Sequence, residues 1–214
     1  MRLDHVSYAA SHEQISDVVN RIGSQLHTNF IDGGIHPQFG TRNFTAPLSN
    51  GKYIEVVCPL EHPSTEISPF GRMVKKKVLM GGGWMSWTFS VEDINEIEII
   101  LNRKSVDGHR KKPDGAVLRW KQIGVLPTTN SPYLPFFIQW LSNVHPSSTG
   151  SPVAQISKIT LVNNSAVEDP WISAVKSANS DGVDVEWINN TEIDSNDGIE
   201  KITFNLDGTQ IVII

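Results

Sequence analysis

The sequence predicts an α+β fold of tandem β-α-β-β-β units whose curved mixed sheets enclose a cavity. Three observations predict it. Strand-like segments open at residues 3–10 (LDHVSYAA), 84–91 (WMSWTFSV) and 156–162 (ISKITLV), and each runs into a polar stretch that starts a helical pattern. Apolar strands close the units at 53–58 (YIEVVC), 135–140 (PFFIQW) and 210–214 (QIVII). The spacing repeats: 50 residues separate Leu3 from Tyr53, 51 separate Trp84 from Pro135, and 54 separate Ile156 from Gln210. Order and spacing recur while residue identity does not, so the last unit reads as a degenerate third copy.

Each element has a local cause. The first helix, Glu13–Leu26, sets Ile15, Val18, Val19, Ile22 and Leu26 at helical spacing, with Ser11 as N-cap and Gln14 three residues on. The second, Ile94–Arg103, repeats the pattern with Ile94, Ile97, Ile100 and Leu101. The third, Pro170–Ala178, opens on Asp169 as cap with Pro170 in the first turn. Asn50-Gly51, Asn130-Ser131-Pro132 and Asp207-Gly208 supply turns just before the closing strands. Two inserts join the units. Residues 62–83 carry an amphipathic helix from Pro69 to Met80 and stop at Gly81-Gly82-Gly83. Residues 144–153 (VHPSSTGSPV) read as a linker. The chain thus divides into paired units 1–60 and 84–145, forming one body over 1–145, and a third unit over 154–214. The terminal strand QIVII is expected to be paired rather than left as an apolar edge.

Composition bounds the function. Of 214 residues, 39% are hydrophobic and 19% charged, which describes a globular chain and excludes disorder and coiled coil. A net charge of −5 gives no nucleic-acid footprint. The runs Lys75-Lys76-Lys77 and Arg110-Lys111-Lys112 lack interleaved aromatics for stacking on bases and read as solvated faces. The glycine triplet lacks the Lys-Ser/Thr of a phosphate loop. A single cysteine, Cys58, excludes a disulfide framework and a thiolate-rich zinc site, and reads as a buried small hydrophobe. No window approaches the ~20 apolar residues of a membrane span, and Met1 leads straight into strand sequence. A cytoplasmic protein without membrane or nucleic-acid partners is expected.

Strand alternation sorts the side chains. His5, Ser7 and Ala9 share one face, opposite Val6, Tyr8 and Ala10. Ser86, Thr88 and Ser90 lie opposite Met85, Trp87, Phe89 and Val91. Glu55 lies opposite Ile54 and Val56, and Gln139 opposite Ile138 and Trp140. His5, Glu55, Ser86 and Gln139 therefore fall on faces turned away from the helices. Such a face is often merely solvated, but an imidazole and a carboxylate on the first and last strands of one unit suit a divalent cation or a proton transfer. His36 precedes Pro37, which biases it to an extended conformation, and it reads either as a pocket residue reaching toward His5 or as a surface-loop histidine. Asn43 can donate to a carbonyl-bearing ligand. Trp87 and Trp140 are expected in the core, while Trp120 is left to line a pocket.

Three segments carry a family resemblance: Leu3-Asp4-His5-Val6, His36-Pro37-Gln38-Phe39-Gly40-Thr41-Arg42-Asn43 and Tyr53-Ile54-Glu55-Val56-Val57, with Pro135–Trp140 as a fourth. Together with the paired units they resemble the glyoxalase-like domain branch of the vicinal oxygen chelate superfamily, which includes glyoxalase I, extradiol dioxygenases and fosfomycin and bleomycin resistance proteins. The resemblance covers residues 1–145 closely and the last third loosely. In metal-dependent members each of two units supplies one ligand from its first strand and one from its last. The resemblance thus implies His5 and Glu55 as metal ligands, with Ser86 and Gln139 at the matching places of the second unit. Neither of these is a good ligand for a transition metal, so the glyoxalase I set is not reproduced unless His36 or a substrate oxygen completes it.

The expectation is a small-molecule-binding or lyase/isomerase-type protein. His5 and Glu55 would act as catalytic groups or hold a divalent metal ion. His36, Asn43, Ser86, Trp120 and Gln139 would bind the substrate. The alternative is a metal-free protein that sequesters a small molecule on the same fold. Members of the superfamily pair units within or between chains, which makes a homodimer the expected assembly if units pair between chains.

Overall fold

The computed structural model describes residues 1–163, 171, 172, 175, 182–188 and 197–214. The first unit runs β1 (Arg2–Ala9), α1 (Ile15–Leu26), β2 (Ile31–His36), β3 (Thr41–Leu48) and β4 (Lys52–Pro59). Two helices, α2 (Pro63–Ile67) and α3 (Pro69–Leu79), form the insert. The second unit runs β5 (Gly83–Ser90), α4 (Ile94–Leu101), β6 (Val106–Lys111), β7 (Val117–Ile123), the short α5 (Val125–Thr128) and β8 (Phe136–Trp140). The C-terminal strands are β9 (Gln155–Val162), β10 (Asp184–Ile188), β11 (Gly198–Leu206) and β12 (Thr209–Ile213).

Both units have the same strand pairing, and together they close a barrel in the order β1-β4-β3-β2-β6-β7-β8-β5. In each, the first strand lies parallel to the last (β1 on β4, β5 on β8). The antiparallel β1–β5 pair closes one seam and the Ile35–Lys111 pairing the other. The C-terminal strands form a separate sheet, β10-β9-β11-β12. Here the opening strand β9 pairs parallel with β10 and antiparallel with β11, so the chain order of strands is retained and the pairing changes. A parallel neighbour needs a long crossover, and residues 163–183 provide the length.

The helix α1 starts at Ile15, two residues later than its pattern suggests, and Ser11 Oγ accepts from the Gln14 amide at 3.3 Å. Its Ile15, Ile22 and Leu26 are buried. The helix α4 stops at Leu101 because Asn102 adopts the left-handed conformation. Of the helix expected at Pro170–Ala178, Trp171, Ile172 and Val175 are helical and buried, and the rest lies outside the described residues. Part of the apolar outer face of β5 packs on the C-terminal segment as well as on helix. Trp84 meets Phe204 and Trp87 meets Trp187, with ring centroids 6.3 and 6.4 Å apart. Trp84 Nε1 donates to the carbonyl of Ile213 at 2.8 Å and β12 pairs with β11, so the terminal strand is paired as expected on one side, but it forms the edge of its sheet and leaves Val212 and Ile214 exposed. Cys58 is buried, which pushes its thiol up. Among the described residues no helix is long and apolar enough to cross a membrane.

Candidate active site

The barrel interior holds a narrow cavity of about 30 Å³. Of the residues expected to form a site, His5, His36, Asn43, Glu55 and Trp120 all line it. Each is placed by a strand: His5 by β1, His36 by β2, Asn43 by β3, Glu55 by β4 and Trp120 by β7.

The carboxylate of Glu55 is 5% exposed and fully paired. Ser7 Oγ donates to Oε2 at 2.7 Å and Asn43 Nδ2 to Oε1 at 2.6 Å. Burial pushes this carboxyl up, but the charges of His5 and His36 and the two hydrogen bonds overrule it and hold it below its ordinary value. The ring of His5 stacks on Tyr53, centroids 4.4 Å apart. Its Nδ1 lies 2.9 Å from Asp4 Oδ2. Asp4 is wholly buried and also accepts from Trp140 Nε1 at 3.2 Å and pairs with His145 Nε2 at 3.0 Å. Burial raises the Asp4 carboxyl, yet the bonds from His145 and His5 hold it well below the usual carboxylate range. An ionised carboxylate only accepts, so His5 donates to it through Nδ1, which leaves Nε2 as the ring nitrogen outside that bond. His36 packs between Phe39, Phe70 and Trp120, with Nδ1 2.9 Å from Thr41 Oγ1. Burial depresses its pKa from 6.5 to about 4, helped by the Arg110 charge and resisted by Glu55, so the ring is neutral at pH 7.

Two expected residues lie elsewhere. Gln139 points away from the cavity. Its Nε2 donates to the Glu92 carbonyl at 2.6 Å and its Oε1 accepts from the Ile94 amide at 3.2 Å, which secures the start of α4. The parity of β8 is the reverse of the expectation: Phe136, Ile138 and Trp140 face the cavity, because this wall is apolar. Trp140, expected in the core, is half-buried there and bonds Asp4. Ser86 is buried opposite Ser7 without lining the cavity, and its Oγ has no hydrogen-bond partner among the described residues.

Three side chains of the candidate site escaped the sequence reading. Asp4 was masked by the irregular β1–β5 register between Leu3 and His5, which breaks strict alternation beside it. His145 sits in what reads as a linker, though it precedes Pro146 as His36 precedes Pro37, the signal that could have found it. Arg110 reads as part of a solvated basic run, yet it is 3% exposed and lines the cavity. The sequence of β6 (VDGHRK) shows no apolar alternation that would place Arg110 inside; only the burial alternates, with Gly108 and Arg110 buried. Its Nη1 donates to Asn43 Oδ1 at 3.0 Å, extending the chain Ser7–Glu55–Asn43–Arg110. Two glycines make room for these groups. A Cβ at Gly33 would stand 2.2 Å from Asn43 Oδ1, and one at Gly108 would stand 2.4 Å from the Trp120 ring.

The donor set does not fit a transition metal. His5 and Glu55 provide two ligands, the second unit presents Phe136, Ile138 and Trp140 to the cavity from its last strand, and no group of three or more His, Cys, Asp or Glu is placed to hold an ion among the described residues.

Paired β-α-β-β-β units closing around a polar cavity define a fold of the vicinal oxygen chelate type. The glyoxalase-like domain matches residues 3–175, and the chain belongs to that family. Among solved structures, a hypothetical protein from Staphylococcus aureus is similar over 99% of this chain and 84% of its own, at 16% identity and TM-score 0.58. The methylmalonyl-CoA epimerase of Mycobacterium tuberculosis is similar over 64% of this chain and 85% of its own, at 16% identity and TM-score 0.44. A Streptomyces coelicolor methylmalonyl-CoA epimerase variant in complex with 2-nitronate-propionyl-CoA is similar over 66% of this chain and 99% of its own, at 16% identity and TM-score 0.44. No protein of curated function matches the sequence.

Proposed function

We propose that the barrel cavity binds a small carbonyl-bearing molecule and moves a proton on it, in an isomerase- or lyase-type reaction, with His5 as the acid–base group and Glu55 as the catalytic counter-charge. The observation that supports this reading is the Asp4–His5 contact beside a buried, ionised Glu55. Asp4 fixes the ring and the tautomer of His5, so Nε2 is the free base. His5 removes the proton from the carbon beside the carbonyl, and the resulting imidazolium is stabilised by Asp4 and by the Glu55 charge. The proton returns to carbon from the His5 imidazolium, and Glu55 stays ionised as its counter-charge. Asn43 and Ser7 hold Glu55 in place, and His36, neutral at pH 7, is a hydrogen-bonding partner for the ligand.

Deuterium exchange tests this. A panel of small aldehydes, ketones and 2-oxo acids is incubated in D₂O with the protein and read by ¹H NMR. The wild type exchanges the acidic C–H of at least one compound, and His5→Gln and Glu55→Gln lose the exchange. Specific binding without exchange selects the sequestering function instead. Exchange that requires an added divalent cation, and that both variants lose, restores the metal-assisted reading.

A further inference from the structure

Arg110 presents an unsatisfied cation to the cavity. Among the described residues its Nε is buried without a hydrogen-bond partner and its guanidinium bonds Asn43 rather than a carboxylate. Asn43 stands between Arg110 and Glu55, accepting from Arg110 and donating to Glu55, so the two charges do not pair directly. A buried cation without a counter-charge is costly, and a guanidinium fork matches a carboxylate in a bidentate fashion. The cavity has room for little more than such a head group, at about 30 Å³. Beyond it lies an apolar groove of about 500 Å³, and Phe39, Phe70 and Gln122 line both spaces. Ile67 and Leu126 on the groove wall are 73% and 54% exposed, a high exposure for large apolar side chains.

We infer that the ligand is a small carboxylic acid with an apolar tail, its carboxylate on Arg110 and its tail running past the packed Phe39–Phe70 rings toward the groove. This rests on the cavity being the ligand site proposed above, and adds the class of ligand. Arg110 is the specificity-determining residue, and Leu126 belongs to the tail wall.

Calorimetric titration of the full chain with butyrate, hexanoate, octanoate and octanol tests it. Affinity rises about fourfold per methylene along the acid series. Octanol binds at least about tenfold more weakly than octanoate, because it lacks the charge-assisted pair. Arg110→Gln abolishes the preference for the acid. Should that variant fail to fold, Arg110→Lys keeps the charge without the fork and weakens octanoate binding about tenfold. Leu126→Asp, on an exposed wall, flattens the chain-length trend. Equal affinity for octanol and octanoate, a preference that survives Arg110→Gln, or a chain-length trend that survives Leu126→Asp overturns the inference. Carboxylate binding with this pattern but without C–H exchange sinks only the catalytic reading; exchange without any carboxylate preference sinks only this one.

Discussion

Protonation of His36 should destabilise the fold by an amount the structure sets. The ring is 4% exposed, packed among three aromatic side chains, and its pKa falls from 6.5 to about 4. Below pH 6.5 the unfolded chain takes up a proton at this position that the folded chain refuses until about pH 4. Stability therefore rises with pH across that window and is lost as pH falls. At 1.36 kcal/mol for each pH unit, the full loss is about 3 kcal/mol. Asp4 and Glu55 act at lower pH: their folded pKa values lie below the ordinary carboxyl values, so the stability they contribute is present above about pH 4 and is lost only beneath it. Urea unfolding of the wild type and His36→Phe, followed by tryptophan fluorescence between pH 7.5 and 4.5, isolates the effect. His36→Phe keeps the aromatic packing and cannot titrate. The wild type should lose about 2 to 3 kcal/mol relative to the variant as pH falls through the window. Parallel stability curves would refute the reasoning, since they would mean that His36 takes up its proton as readily in the fold as outside it.

Asp4→Asn replaces one acceptor oxygen of a buried network that serves His5, His145 and Trp140. It should cost about 2–3 kcal/mol at pH 7 in urea unfolding, with the gap to wild type narrowing below about pH 4; a neutral substitution at pH 7 would contradict the network. Gln139→Ala removes the side chain that secures the start of α4 and should cost about 1 kcal/mol, leaving ligand titrations unchanged; lost ligand binding would return Gln139 to the cavity. Gly33→Ala drives a Cβ into Asn43 and Arg110, so carboxylate binding should weaken by more than the melting temperature predicts, and unaltered calorimetric affinity would show that the Asn43–Arg110 bridge is dispensable.

The paired units were legible because two periodicities, alternation in the strands and helical spacing in α1 and α4, are written directly in the apolar residues. His5 and Glu55 were legible for the same reason: each is a polar residue in an apolar strand. The cavity wall contributed by β8 was not. The expectation assigned polar residues to the cavity and apolar ones to the helices, but Ile138 and Trp140 line an apolar wall and Gln139 serves a helix terminus. Alternation gives two faces without saying which is inside when both are buried. Asp4 was hidden by the irregular register beside it, and Arg110 by charged neighbours that do lie at the surface. The pairing of the C-terminal strands was illegible because element order does not fix which strands become neighbours.

The central claim is that Asp4 fixes His5 so that Nε2 is the base facing the cavity. Nitrogen-15 NMR of histidine-labelled protein at pH 8 tests it most directly, because the two ring nitrogens report separately whether each carries a proton. His5 should be protonated at Nδ1 and bare at Nε2 in the wild type. A His5 ring protonated at Nε2 and bare at Nδ1 would contradict it, since no free base would then face the ligand.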